Sequence, residues 1–564
     1  MGLRKVLMEQ TKTENNNVVN EKPMAINENL VQVNGKLKRP FPILMIAFTA
    51  AILLDLLFFD KMWGWHWAAA VNLYLMAAVI SARLEEKKLP QKSLTLIVLT
   101  SLTALLTGFR SAKATAFALL LVSGLGMLLV TASLLNGQWM QFRLRELIGE
   151  LFKLIPSGVI GTPLLMLEGI QLSQATKEQN PGKSKRGLAI LRGVLITIPL
   201  LLVFGLLLAS ADTIFSDMLG SAFAWLKTDF FDKFIQHAFL ILLLTWIGAA
   251  ALWHALSKSG KQLEIQPDKL LIKPFLGMTE TTIALISINL LFALFLVIQF
   301  RYFFMGSANV RIDGFTYAEY ARRGFFELVA VALIASVLYF GLASLTKRAT
   351  PAKKRAFSVM AGLLLAQVGV MLISAFQRLR LYEQAYGFTS LRLAAHVFMV
   401  FVGLLLLALV IMELTNSFRR LGLVLVLGVL AFALVMVGLN EDAMIAKLNL
   451  QRAVQGEKLD ADYLVHDLSN DAVPMLFRTM DDSQLAPELQ EKLQLVMACR
   501  YANFKRVYGA ASWQSNTIPV VIAGKLYKQH EEALNSLPVW DQNSSAMIVT
   551  IDNRTIWCSD IPDL

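Results

Sequence analysis

Eleven runs of nearly uncharged, apolar residues divide this chain. A bilayer's hydrocarbon core takes about 20 residues of α-helix to cross. The runs occupy 41–59, 64–82, 94–108, 114–135, 187–210, 234–256, 281–304, 325–345, 357–376, 391–414 and 421–439, and the third is the shortest. Where no water is present, each backbone N–H and C=O must be satisfied within its own segment, so such runs fold as helices. With 56% of 564 residues apolar and 17% charged, the composition is too apolar for a soluble chain of this length. The expectation is an all-α polytopic membrane protein of about eleven transmembrane helices.

Basic residues orient the spans. With the N-terminus inside, the tail and inner loops carry 29 Lys and Arg, and the outer loops carry 10. That bias is the signature of the positive-inside rule. The net charge of +12 therefore reads as topology, and nucleic acid is not an expected partner. Residues 1–40 read as a disordered cytoplasmic tail with no cleavable signal peptide. The first four spans fill 41–135, a cytoplasmic segment fills 136–186, and seven more spans fill 187–439. An odd number of spans leaves 440–564 outside.

In the cytoplasmic segment, "NGQWMQFRLRELIGELFKLI" places Trp139, Phe142, Ile148, Leu151, Phe152 and Ile155 mostly on one helical face. It reads either as a helix lying in the inner membrane surface or as an extension of the preceding span. The following "PSGVIGTPLLMLEGI" is apolar but punctuated by Pro156 and Pro163, which points to a re-entrant or buried connector.

The C-terminal region is soluble in character. Helical periodicity through "NEDAMIAKLNLQRAV" and "PELQEKLQLVMACRYANFKRV" gives a small, mainly helical domain. The alternation in "SAMIVTIDNRTIWCSD" suggests a closing β-hairpin turning at Asp552-Asn553. Cys499 and Cys558 are the only cysteines in the chain. They form one extracytoplasmic disulfide or remain two free thiols.

One pattern occurs twice. A span ends "QFRYFF", loops out and returns at Gly314-Phe315-Thr316, and a later span ends "FQRLRLY" and returns at Gly387-Phe388-Thr389. This is either a parallel internal repeat or convergence on good interfacial chemistry. Thr316 and Glu319 make a capping box, and Glu319, Arg323 and Glu327 form one stripe. If the two hairpins pack together, Arg301, Arg322, Arg323, Arg378, Arg380 and Arg392 converge at one depth, with Glu319, Glu327 and Glu383 among them and His396 one turn below Arg392. Such a polar cluster is a candidate site because intramembrane charges are costly. The plain alternative is snorkelling of arginines at helix ends. Glu327, deepest in its span, is the sharpest member of the expected cluster.

The segments "LLLASADTIFSDML", "GFTYAEYARRGFFELVAVALI", "RLRLYEQAYGFTSLRLAAHVFM" and "LNEDAMIAKLNLQRA" carry a resemblance. Over about 39–480 the chain resembles a bacterial family of multispan membrane proteins known as domain of unknown function 4173. The resemblance implies a bacterial cell-membrane protein and brings no reaction or catalytic residue with it. The chain holds no P-loop, G-x-S-x-G, H-E-x-x-H or paired C-x-x-C. An enzyme, a cofactor and a metal are accordingly not expected. Asp212 and Asp217 read as the capped, solvated end of a span. Two function classes remain. One is transport or handling of a small anionic or lipid-like molecule within the bilayer. The other is an envelope sensor or scaffold whose outer domain binds a protein partner that the residues do not specify.

Overall fold

The computed structural model describes residues 37–178, 229–260, 274–304 and 325–558, apart from isolated positions within them, with single positions between 197 and 218. The expected tail up to residue 36, and the expected span at 187–210 apart from those single positions, lie outside the described residues.

Four helices open the fold: α1 (Pro40–Phe58), α2 (His66–Leu84), α3 (Gln91–Leu105, continued by a 3-10 turn to Gly108) and α4 (Lys113–Ser133). They alternate in direction. Glu85, at the end of α2, accepts from Lys38 N at 2.8 Å and Arg39 N at 2.6 Å and so caps the start of α1. Small residues let α3 and α4 approach: a Cβ at Gly126 would sit 2.4 Å from Thr100 Oγ1. Gly126 thus belongs to a packing contact.

The next helix, α5 (Leu144–Glu178), runs for 35 residues with Pro156 and Pro163 inside it. The connector expected from those prolines is instead part of one helix. Ser157 Oγ bonds back to Lys153 O at 3.0 Å, and Gly161 packs on Ala250 of α6 (Asp229–Ser257). By length and composition α5 qualifies as a span, yet its contacts place it crosswise. Ser157 and Glu168 lie eleven residues apart, about 16 Å along a helix axis. They meet α6 at adjacent positions, His254 and Trp253, at 2.7 and 3.2 Å. Glu168 also accepts from Leu37 N at the start of α1. A helix running alongside α6 would change partners by about eleven positions over that distance. Between those two positions the helix reaches deeper, where Thr162 Oγ1 donates to Trp246 O at 2.7 Å and the Trp246 indole donates to Gly158 O at 3.1 Å.

A second bundle holds α7 (Met278–Phe304), α8 (Phe325–Leu345), α9 (Pro351–Tyr386) and α10 (Ser390–Leu414), around Tyr339, Phe357, Leu364, Val368 and Leu409. Helix α11 (Leu421–Leu439) joins the bundles, packing Ala433 against Ala118, Leu119 and Val122 of α4. Among the described residues, ten helices are long and apolar enough to cross a membrane, α5 among them and the shorter α3 not. The chain is a multi-pass membrane protein.

Beyond Asn440 the chain forms α12 (Glu441–Val454), α13 (Val473–Met480), α14 (Pro487–Tyr508), α15 (Ile518–Gln529) and α16 (Glu531–Asn535). They share a core of Leu464, Leu476, Phe477, Val496 and Tyr527. Strands β1 (Val539–Gln542), β2 (Ala546–Ile551) and β3 (Arg554–Trp557) pair antiparallel in the order β1-β2-β3, with Ile548 opposite both Trp540 and Trp557. Asp552 and Asn553 lie outside the described residues. A disulfide joins Cys499 of α14 to Cys558 just after β3, with Cα atoms 5.9 Å apart. It ties the sheet to the helical core across 59 residues.

Two outcomes test this architecture. Single cysteines at Glu150 and Ser173, near opposite ends of the α5 run, are expected to react with a membrane-impermeant maleimide from the same side; labelling from opposite sides would mean that α5 crosses. Replacing Cys499 and Cys558 together by Ser should lower the stability of the C-terminal domain by roughly 2–4 kcal/mol, the usual worth of closing a loop of this length, in chemical denaturation.

Candidate functional site

The face of the bundle marked by Asp55 carries the C-terminal domain, and the contact is made by side chains meeting helix starts. Each helix begins with N–H groups that lack partners within the helix. Asp471 Oδ2 accepts from Ser111 N at 2.5 Å and Ala112 N at 3.0 Å, immediately before α4. Glu441 Oε1 accepts from Ala114 N at 3.1 Å and Thr115 N at 3.3 Å. Arg110 adds an ion pair to Asp471 at 3.5 Å. Two carboxylates from the domain thus sit at the positive end of one membrane helix, where negative charge is stabilised.

The second Gly-Phe-Thr motif serves the same contact. Gly387 has φ 77°, and a Cβ there would lie 2.9 Å from Asn449 Oδ1, so the left-handed turn and the close approach both require glycine. Asn449 accepts from Phe388 N at 2.8 Å and donates to Phe388 O at 2.9 Å. Tyr463 Oη accepts from Ser390 N at 2.8 Å, capping α10. The first motif, Gly314-Phe315-Thr316, lies outside the described residues. The sequence offered no signal that Glu441, Asn449, Tyr463 and Asp471 were docking groups, because each meets a partner more than sixty residues away.

The polar residues expected to gather at the hairpins distribute differently. Arg378 is buried and donates to Gln299 Oε1 at 2.8 Å. Glu383 is buried and pairs with His396 Nε2 at 2.7 Å, while the His396 ring packs on Phe376. Arg392 lies over the Tyr382 ring and donates to Gly387 O. Glu327 stands exposed in the first turn of α8 and does not join them; Gln299, on a neighbouring helix, already fills the role expected of it toward Arg378. The side chain of Arg301, with Glu319, Arg322 and Arg323, lies outside the described residues. Among the described members of the expected cluster, Arg378, Glu383, Arg392 and His396 thus make separate contacts on α9 and α10.

Arg380 is the exception. It is exposed and has no hydrogen-bond or ion-pair partner among the described residues. With Gln377 it stands at one end of an open groove of about 600 Å³ between α9 and α10. Gly369, Val370, Ile373, Val400 and Gly403 form the apolar walls. The side chains at 370, 373 and 400 are exposed, so the groove opens to the bundle's outer, apolar surface. Between Phe357 and Phe376, α9 carries no charge over 20 residues, about 30 Å of helix. Arg380 therefore sits one turn past the hydrocarbon core, at headgroup depth. No group of three or more His, Cys, Asp or Glu side chains among the described residues is placed to hold a metal ion.

Burial raises the carboxyl of Glu441 to about 7, with the Asp442 charge adding, against the opposing pull of its N–H and hydroxyl donors. Burial likewise raises Asp442 and Asp471. Glu441 Oε2 is buried without a partner, an arrangement that costs less protonated than charged. The folded state holds these protons more tightly than the unfolded chain, so stability is fullest at acid pH and declines as pH rises through about 7. The C-terminal domain is accordingly expected to melt at a higher temperature at about pH 5.5 than at about pH 8. Glu441→Gln, which keeps an acceptor oxygen and removes the titration, should flatten that slope in scanning fluorimetry. An unchanged slope would take Glu441 out of the account.

A family model described as a domain of unknown function (DUF4153) matches residues 94–479. Its number differs from 4173, the family that the quoted motifs resemble, and that identification is corrected here; both are domains of unknown function. No curated protein and no solved structure matches the chain.

Proposed function

This chain belongs to the DUF4153 family, and from its geometry we propose that it holds an anionic amphipathic molecule in the groove between α9 and α10. The observation that carries this reading is the unpaired Arg380 at the headgroup end of an apolar groove. An acyl chain gains little by leaving lipid for an apolar groove, so selectivity has to come from the head. A guanidinium gives phosphate or carboxylate charge-assisted, often bidentate hydrogen bonds, and Gln377, one turn away, adds a neutral donor. The bilayer is thus both solvent and source of the ligand, and the activity is handling or transfer of that molecule without bond chemistry.

The same reading places the protein in a bacterial cell membrane, with the Lys38 end in the cytoplasm and the C-terminal domain outside. The 29-to-10 bias of basic residues supports that orientation, as does a disulfide on the Asp55 side, since disulfides persist in oxidising compartments. A sensor or scaffold role is favoured by a different observation. The domain caps α4 and α10 together, so a partner that moved the domain would act on both bundles.

Native mass spectrometry of the purified protein with phosphatidylglycerol and phosphatidylcholine tests the groove. Phosphatidylglycerol is expected to be retained preferentially, and Arg380→Gln should reduce that preference about tenfold, the worth of one charge-assisted contact. Gly369→Leu should also displace it, because a Cβ at Gly369 meets nothing within 4 Å and the larger side chain fills the groove without strain. Equal retention of both lipids, unchanged in the two variants, would end this reading.

A further inference from the structure

The seam between the C-terminal domain and the membrane helices holds a second cavity, of about 220 Å³ and open to the surface, unlike the groove in character. Ser111 and Lys113 line it from the start of α4; His466, Asp467, Arg500 and Asn503 line it from the domain. Drug-sized ligands occupy about 300–1,000 Å³, so this space suits a smaller molecule.

Its polar lining carries two cations, Lys113 and Arg500, against one carboxylate, Asp467. Arg500 is 6% exposed and donates to the backbone carbonyls of Leu464, Val465, Leu468 at 3.0 Å and Ser469 at 2.7 Å, with the Tyr527 hydroxyl beside it. No carboxylate lies within ion-pair distance of it among the described residues, and its Nε is buried without an acceptor. Asp442 lies near enough to feel the guanidinium charge but makes no ion pair with it, so Arg500 still presents positive charge to the cavity at close range. Lys113 adds a second cation. Its one ion pair, to Asp467 at 3.7 Å, joins two exposed side chains and is easily exchanged for a better anion. The Asn503 oxygen is engaged by Arg506, which leaves its amide N–H groups for the cavity. Against these donors stand Phe504 and Val507, an apolar wall.

We propose that this cavity binds a small oxyanion, a carboxylate or phosphate monoester on a compact apolar body, between Lys113 of the membrane unit and Arg500 of the outer domain. Since the two sides of the site belong to different units, occupancy tightens the seat of the domain on the α4 start. The site is separate from the lipid groove and does not depend on it.

Benzoate and phenyl phosphate serve as probes, with benzyl alcohol as the uncharged control, on the full-length protein in nanodiscs. At least one anion is expected to bind saturably in calorimetry and to raise the melting temperature of the domain, and benzyl alcohol to do neither. The stronger probe tells carboxylate from phosphate. Lys113→Gln should weaken binding about tenfold, and Asn503→Leu, which removes the amide donor, should weaken it at least as much. Both positions are away from the domain core, so both variants should keep the Cys499–Cys558 disulfide and the ligand-free melting temperature. No saturable binding of either anion up to about 10 mM, or affinities unaffected by both substitutions, would overturn the proposal.

Discussion

The architecture depends on what covers the open ends of membrane helices. A helix that starts at a bilayer surface presents N–H donors and a partial positive charge to whatever lies above it. Here the cover is the chain's own C-terminal domain, through Asp471 and Glu441 on α4 and Tyr463 on α10. The connection that delivers Glu441 is a single residue. Asn440, at φ 48°, turns the chain left-handed between the end of α11 and the start of α12. Because Thr115 also donates to Met436 O, the covalent turn and the noncovalent cap fix one another.

Polar residues inside the bundle are mostly committed to partners. Asp55 pairs with His237 at 2.7 Å, Gln367 donates to Asn289 O at 3.1 Å, and Glu413 accepts from Tyr339 at 2.6 Å and Ser358 at 2.6 Å with Arg348 beside it. Each is costly alone in hydrocarbon and tolerable when paired. Such pairs set the register of one helix against another, since a slip would leave an unpaired buried group. By elimination, an exposed side chain without a partner is the more telling kind for a ligand. Arg380 is one such group, and no sequence criterion separates it from Arg378 two positions earlier; the difference is that one faces Gln299 and the other the groove.

Most of the helices were legible because length and apolarity decide them and those properties are local. The spans from α6 to α11 stand within a few residues of their expected limits, except α9, whose charged ends continue as helix beyond the apolar run. Helix α5 shows where that logic stops. Its apolar composition satisfies the rule for a span, and only its bonds to α6, Ser157 to His254 and Glu168 to Trp253, put positions eleven residues apart at one level. The docking residues were illegible for a related reason. Glu441, Asn449 and Asp471 look like ordinary polar residues of a helical domain, and their docking roles exist only across sequence separations of 51 to 360 residues. The Gly-Phe-Thr recurrence did register in the sequence, and for the second copy the structure supplies a reason in a glycine pressed against Asn449.

The same geometry constrains how the molecule can move. The turn at 387–389 joins α9 to α10, whose facing surfaces form the groove, and Asn449 grips that turn through both polar groups of Phe388. Widening the groove by moving α10 away from α9 has to carry the turn or break the grip. If the turn moves with the domain, the strain passes to Glu441, which bonds the α10 start through Ser390 and the α4 start through Ala114 and Thr115. One buried carboxyl therefore stands between the two bundles. The bonds it must give up for them to separate join buried groups, which cost free energy when left without partners.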